Sequence, residues 1–551
     1  MKPFLAELKR RKVVRVGIVY VVVGLVVVEA ANNLLPALNL PDWTVTLVVA
    51  LAILGFPVAV ALAWAFDITP SGVERTADLD VGAEARSIAV LPFTDMSADH
   101  DQEYFGDGVA EEVLNVLTRI PDLRVAARTS SFSYKEKGCS IREIGQELGV
   151  ATVLEGSVRK SGNRLRITAQ LTEAPSGFHL WSETYERELE DVFAIQDEIA
   201  RAIADTLRVT LLGEQDEPLV RAGTENSEAY DLYLKGRHCW IRRYKLGLQT
   251  ALEYFEKAIE KDPDYALPFT GIADVHTILA IYGLLDSAEA QGIAEKAAER
   301  ATALDPELAE AYFSTGLIQH CFHSDWVNAD GSLRRAVELN PVFAAAHAWR
   351  GMGLVNVGAR VDEGFEYARQ ACALDPHSPY IWAIAGLANL MGRRYGEALE
   401  HLEQALELEP EDILALYTAG ACYSAVGKHA EAIAALEKAV ALSHRMAFII
   451  GLLGAVYGRA GMMAEARAVL EELRERAGRE YVTPVALAWT CANVGLSEDA
   501  LRYLEQALAE ARPSLTNSIR YPVWDAILQD PRYTAVVTGM TYAPWDLSSP
   551  N

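Results

Sequence analysis

The chain has six cysteines in 551 residues: Cys139, Cys239, Cys321, Cys372, Cys422 and Cys491. They stand far apart with no C-x-x-C pair, which excludes a disulfide framework and a zinc ribbon, and free thiols fit a reducing compartment. Basic charge is also scarce. Only 50 Lys and Arg face 76 Asp and Glu, for a formal charge of −26. Binding to a polyanion rests on neutralising its phosphates, so no nucleic-acid partner is expected. Reaction-centre motifs are missing too, since neither G-x-S-x-G nor H-E-x-x-H occurs. Gly427-Lys428-His429 lacks the earlier glycine and the following Ser/Thr of a phosphate loop, and Gly351-Met352-Gly353 lacks a third glycine three residues on. His320-Cys321-Phe322-His323 is a lone cluster short of a fourth zinc ligand. These absences lead to the expectation of no enzyme activity, no metal and no cofactor.

What is present is apolar. Hydrophobic residues make up 51% of the chain and charged ones 23%, too apolar a mix for a disordered acidic tail. The length also exceeds one ordinary domain. Residues 1–75 hold seven Lys/Arg and five acids, leaving 43 basic and 71 acidic residues, or −28, for the rest. Residues 16–35 (VGIVYVVVGLVVVEAANNLL) and 44–66 (TVTLVVALAILGFPVAVALAWAF) each reach the roughly 20 apolar residues that cross a bilayer as a helix. A Pro-broken turn, 36–43, joins them. The cluster Lys9-Arg10-Arg11-Lys12 before the first span places residues 1–15 on the cytoplasmic side, and a second span returns the body there. The expectation is a two-helix transmembrane hairpin over 16–66, followed by a polar, Gly/Pro-punctuated linker over 67–86.

Residues 87–212 alternate strand and helix signals. SIAVLPF (87–93) is a buried-strand run, and apolar spacing marks a helix near 101–119. Two period-2 runs, 152–160 and 164–172, flank Ser161-Gly162-Asn163 as a hairpin, and 179–187 pairs onto it before a helix over 192–212. The blocks IAVLPF, EYFGDGVAEEV, ARTSSF, IREIGQELGV, VLEGSVRKSGNRLRITAQL and LWSETYERELEDVFAIQDEIA resemble the TolB-like amino-terminal domain of bacterial proteins. In that family the module often sits between a nucleotide-cyclase or winged-helix unit and a tetratricopeptide array. The resemblance implies a regulatory or docking module and supplies no activity. Together with the two spans it gives the expected localisation, the bacterial cytoplasmic (inner) membrane with the soluble domains facing the cytoplasm.

After a linker over 213–227, acid-Pro or Asn-Pro pairs recur at Pro263, Pro306, Pro341, Pro376 and Pro410, in steps of 43, 35, 35 and 34. A period of 34 is the tetratricopeptide helix-turn-helix length. Eight units are expected over 228–513, with a cap and tail over 514–551. Such superhelices bind partners along a concave groove. The first-helix positions one, five, eight and nine after each anchor are expected to face that groove, and they hold Tyr233, Arg237, Trp240, His276, His320, Arg350, Tyr417 and Arg459. Arginines and aromatics there suit a peptide with acidic groups. The competing reading is that the aromatics only pack between units.

The expected fold class is therefore multidomain: two transmembrane helices, a small α/β (TolB-N-like) domain and an all-α tetratricopeptide superhelical solenoid. The expected role is a membrane-anchored, non-enzymatic scaffold binding protein or peptide partners through the groove. The alternative is a regulatory subunit of a nucleotide-cyclase or transcriptional system that binds a small ligand in the α/β domain.

Overall fold

The computed structural model describes residues 66–69, 72–75, 86–97, 103–118, 120, 123–135, 139–161, 164–188, 192–207, 223–241, 245–358, 360–510 and 512–540, together with Ala50. The chain divides into two compact units, residues 1–84 and 85–551. In the first, β1 (Phe66–Thr69) and β2 (Gly72–Arg75) form an antiparallel hairpin with Phe66 opposite Arg75. Phe66, expected to end the second membrane span, opens this hairpin. The remainder of 16–66, Ala50 apart, lies outside the described residues, as do the N-terminal residues 1–15.

Among the described residues no helix is long and apolar enough to cross a membrane. The fold class and the localisation are corrected on this finding. The two transmembrane helices and the inner-membrane placement drop out, leaving a mostly helical solenoid with a small sheet region. The described helices are too short for that role: the apolar helix Pro379–Met391 has 13 residues, where a bilayer needs roughly 20. Its apolar side chains are buried against neighbouring helices instead.

The second unit begins with the sheet region. Its elements are β3 (Ser87–Val90), β4 (Thr94–Asp95), α1 (Glu103–Leu117), β5 (Arg124–Val125), α2 (Arg128–Phe132), α3 (Ile141–Leu148), β6 (Thr152–Ser161), β7 (Arg164–Glu173), β8 (His179–Glu188) and α4 (Val192–Leu207). Strand order is β5-β3-β6-β7-β8, with β4 also pairing β6. β3 runs parallel to β5 and β6, and all four of its residues are buried, as continuous apolar parallel strands are. β6, β7 and β8 form an antiparallel meander whose first turn pairs Ser161 with Arg164. α1 and α4 bury Val109, Val113, Ile195 and Ile199 in the same core as Leu154, Val158 and Ile167. On the other face a smaller cluster joins Ala89, Val153 and Tyr134 to Ile144 of α3. That helix starts at a Ser140–Glu143 capping box and stops at left-handed Gly149.

Among the described residues sixteen helices follow in eight pairs. They are α5 (Ser227–Ile241) with α6 (Lys245–Lys261), α7 (Ala266–Ile281) with α8 (Ser287–Leu304), α9 (Ala309–Cys321) with α10 (Trp326–Leu339), and α11 (Ala344–Val357) with α12 (Val361–Leu374). Then come α13 (Pro379–Met391) with α14 (Tyr395–Leu408), α15 (Ile413–Ala425) with α16 (His429–Leu442), α17 (Ala447–Arg459) with α18 (Met463–Ala477), and α19 (Pro484–Asn493) with α20 (Ser497–Glu510). Close crossing within a pair explains the recurring glycines. A Cβ on Gly420 would lie 2.5 Å from Leu436 of the partner helix, and one on Gly386 2.6 Å from Leu402. The chain ends in α21 (Arg512–Thr516), a 3-10 turn (Pro522–Ala526) and α22 (Pro531–Gly539). Every residue from 513 to 524 is buried.

Candidate functional site

Three of the eight expected groove residues lie where the solenoid meets the sheet region. α5 packs on α1 so closely that a Cβ on Gly108 would sit 2.2 Å from a Leu234 methyl. Tyr230 Oη donates to the Gly108 carbonyl (3.3 Å) and receives Gln196 Nε2 (3.2 Å). Glu111 of α1 is clamped between Arg128 (2.9 Å) and Arg237 (3.1 Å). Burial raises its carboxyl pKa, but the two guanidinium groups outweigh burial and hold it below the ordinary value. Arg237 also donates to Tyr233 Oη (3.0 Å) and lies over the rings of Tyr233 and Trp240. Tyr233 is buried against Phe255 and Tyr265.

A second contact lies far along the chain. Ser130 Oγ donates to Asp375 (2.7 Å) and accepts from the His377 amide (3.2 Å), and Tyr134 Oη meets His377 Nε2 at 3.4 Å. Asp375-Pro376 is one of the pairs that mark the repeat. The sheet region is therefore fastened to the first repeat through α1 and to the turn before the fifth through Ser130 of α2.

Four more expected groove residues sit inside the solenoid, engaged with their own chain. His276 is buried, with Nδ1 donating to the Ile272 carbonyl (2.8 Å). His320 is 1% exposed, edge-on to Trp326, and neither ring nitrogen has a hydrogen-bond partner among the described residues. Burial pushes its pKa down to about 4. Arg350 is buried, paired with Asp330 (2.5 Å), and its guanidinium lies 4.3 Å from the Tyr367 ring centre. Tyr417 is buried against Phe448 and Tyr282.

Arg459, the eighth, shows what fills the interior. Its Nη1 donates to the carbonyl of Pro522 (3.1 Å), in the chain's own C-terminal segment. Asn356 donates to Thr516 O (2.7 Å) and Asn493 to Val523 O (2.9 Å). In return, Ser514 Oγ donates to the Ala280 and Ile281 carbonyls, and Thr516 Oγ1 to that of Cys321. Tyr521 stacks on Trp489 at 5.7 Å with rings 4° apart. Asp525 pairs with Arg393 (2.6 Å), which holds left-handed backbone (φ 61°) in a turn of the kind where Gly427, Gly461 and Gly495 serve other repeats. The first helices of repeats 2, 3, 4, 7 and 8 thus all bond one segment. The position rule found Arg459 and missed Asn356, Arg393, Trp489 and Asn493; the aromatic-rich stretch from Tyr521 to Trp524 was the available signal.

The sheet region carries a cavity of about 580 Å³ beside the turn after β3. Asp95, Glu103, Glu155, Ser157, Thr168, Gln170, Tyr134 and Lys135 are among its lining residues. The Lys135 ammonium is already held by Asp107 (2.6 Å) and Glu103 (2.7 Å). Burial keeps the Asp107 pKa raised despite that ammonium. Among the described residues no group of three or more His, Cys, Asp or Glu is placed to hold a metal.

Residues 390–445 match the tetratricopeptide repeat family. Over 200 residues the chain is 44% identical to "Putative adenylate cyclase 3" of Rhizobium meliloti (strain 1021), covering 36% of this chain and 33% of that protein. Over 260 residues it is 24% identical to the transcriptional regulator HilA of Salmonella typhimurium, covering 45% of this chain and 44% of that one. The chain thus spans between a third and under half of the length of these curated relatives. Among solved structures it is similar to the Cut9–Hcn1 hetero-tetramer of the APC/C, with 16% identity, a TM-score of 0.39, and coverage of 62% of this chain and 63% of that one. It is also similar to a thermophilic TPR protein of Thermus thermophilus, with 22% identity, a TM-score of 0.30, and coverage of 35% and 97%.

Proposed function

We propose that the chain is a non-enzymatic scaffold that binds protein or peptide partners through its repeat solenoid, with residues 87–212 as a docking or sensing module. The observation that carries this reading is the run of eight stacked helix pairs. Each pair buries its face only against its neighbours, which leaves a long surface and no compact reaction centre. Cross-linking the full chain to its captured partners, followed by mass spectrometry, tests it. Cross-links should map to 227–540; cross-links confined to 87–207 would overturn the assignment. The chain alone should form no cyclic AMP from ATP and Mg²⁺.

A second reading is favoured by the 44% identical relative and by the place of the cavity. In it the chain regulates a separate nucleotide-cyclase unit, and a small ligand in the cavity acts through Tyr134, which touches both the cavity and His377. Adding the full chain to a purified adenylate cyclase catalytic domain should then change the rate of cyclic AMP formation, and Tyr134→Ala should remove that change. An unaltered rate sinks this reading.

A further inference from the structure

The interior of the solenoid is lined and filled in an unequal way. The wall meets the C-terminal segment at its main chain, where Asn356, Arg459 and Asn493 donate to three of its carbonyls, and at its side chains, where Ser514, Thr516 and Arg520 donate to wall carbonyls. The three carbonyls belong to Thr516, Pro522 and Val523, in a segment made of two short helical turns, Arg512–Thr516 and Pro522–Ala526, and donors to main-chain carbonyls hold such a guest whatever its side chains. Specific pockets are added at a few points. Tyr521 stacks on Trp489, and the Trp524 ring meets the same indole at 6.1 Å. The segment is not a ninth repeat, because it pairs with no second helix and touches repeats remote from it in sequence. Arg393, one of four described non-glycine residues with positive φ, donates from its turn to Asp525.

We infer that the interior channel of the solenoid is a peptide-binding site whose resident ligand is the chain's own segment 512–527. An external partner enters as a segment of the same chemistry: small polar residues interleaved with Leu and Ile, an arginine, an aromatic-Pro-apolar-aromatic run, then an acid. The inference rests on the scaffold reading and says where on the scaffold such a partner goes. It also accounts for Arg459, the one expected groove residue whose side chain bonds the segment.

The test uses the full chain and a fluorescent synthetic peptide of residues 512–527, followed by anisotropy. Wild type should bind it weakly. Tyr521→Ala, which loosens the resident segment without touching the wall, should bind at least tenfold more tightly, and adding Asn493→Ala with Arg459→Ala should reverse that gain. Asp525→Ala provides a second, exposed-site variant with the fold retained, checked by circular dichroism, and it should shift affinity in the same direction by a smaller factor. Equal binding to wild type and both loosened chains, or binding that survives the wall substitutions, overturns the inference. So does the absence of binding to every folded form, which would make the segment fixed core. Partner cross-links to the solenoid with no peptide binding would leave the scaffold reading standing and remove only this one.

Discussion

Glu111 and His320 show two ways of burying a titratable group in this chain. Glu111 has two cationic partners, so its charged form is favoured in the folded state and its pKa lies below 4.5. Its contribution to stability is present above that value and is lost as pH falls through the depressed one. Glu111→Gln leaves Arg128 and Arg237 facing a neutral amide and is expected to cost about 2–3 kcal/mol at pH 7, read from the urea midpoint. His320 has no partner, and burial alone lowers its pKa from 6.5 to about 4. The unfolded chain therefore binds the proton more readily, and folding weakens as pH drops from 6.5 toward 4 while staying flat above. Between pH 7 and 5 this group is expected to remove about 2 kcal/mol. His320→Leu should flatten that part of the profile and, by deleting an unsatisfied imidazole, add about 1 kcal/mol at pH 7. A variant with an unchanged acid slope would show that other groups set it.

At the scale of elements, the close pairing within a repeat is the feature most open to test. Gly420→Val places a branched side chain against Leu436 across a 2.5 Å gap, and overpacking of that kind costs about 1–3 kcal/mol. The loss should appear as faster amide exchange in α15 and α16 before other helices. These pairs were legible in the sequence because their signal is local and periodic. The turns at Pro341, Pro376 and Pro410 and the glycines at 386 and 420 recur with the pitch of one helix pair, and the hairpin around Ser161 carries its own alternation. The interior was not legible, for a physical reason. A position rule says which side chains of α7, α9 or α17 point inward; what covers them depends on where residues 512–527 run, and Ser514, Thr516 and Tyr521 have no period linking them to Cys321, Asn356 or Trp489. Read as a terminal cap, that stretch was given a place at the end of the array, whereas it runs through the middle. The membrane expectation rested on apolar run length alone, and no described helix is long and apolar enough to cross a bilayer.

For the whole molecule, the segment changes the kind of folding unit a solenoid is. A repeat array is held by nearest-neighbour interfaces, so its ends unravel independently of its middle. Here α21 packs on α7 and α9 while the 3-10 turn packs on α15, α17 and α19, so repeats 2 and 3 are tied to repeats 6, 7 and 8 through one stretch of twelve buried residues. Loss at one point of that tie should be felt at both. Trp524 is fully buried between Trp489 and Tyr533, and Trp524→Ala is expected to cost about 3–5 kcal/mol, the range for emptying an aromatic site in a packed core. Amide exchange then distinguishes two outcomes. If the tie couples the array, protection falls together in α7 and α9 and in α15 to α19, although the Trp524 ring contacts are with Trp489 of α19 and Tyr533 of α22. If α15 to α19 alone lose protection, the solenoid is behaving as an ordinary chain of neighbours and the segment is a local plug. Denaturant unfolding should agree: one transition in wild type, and a broader or split one, with lower apparent m, once the tie is cut.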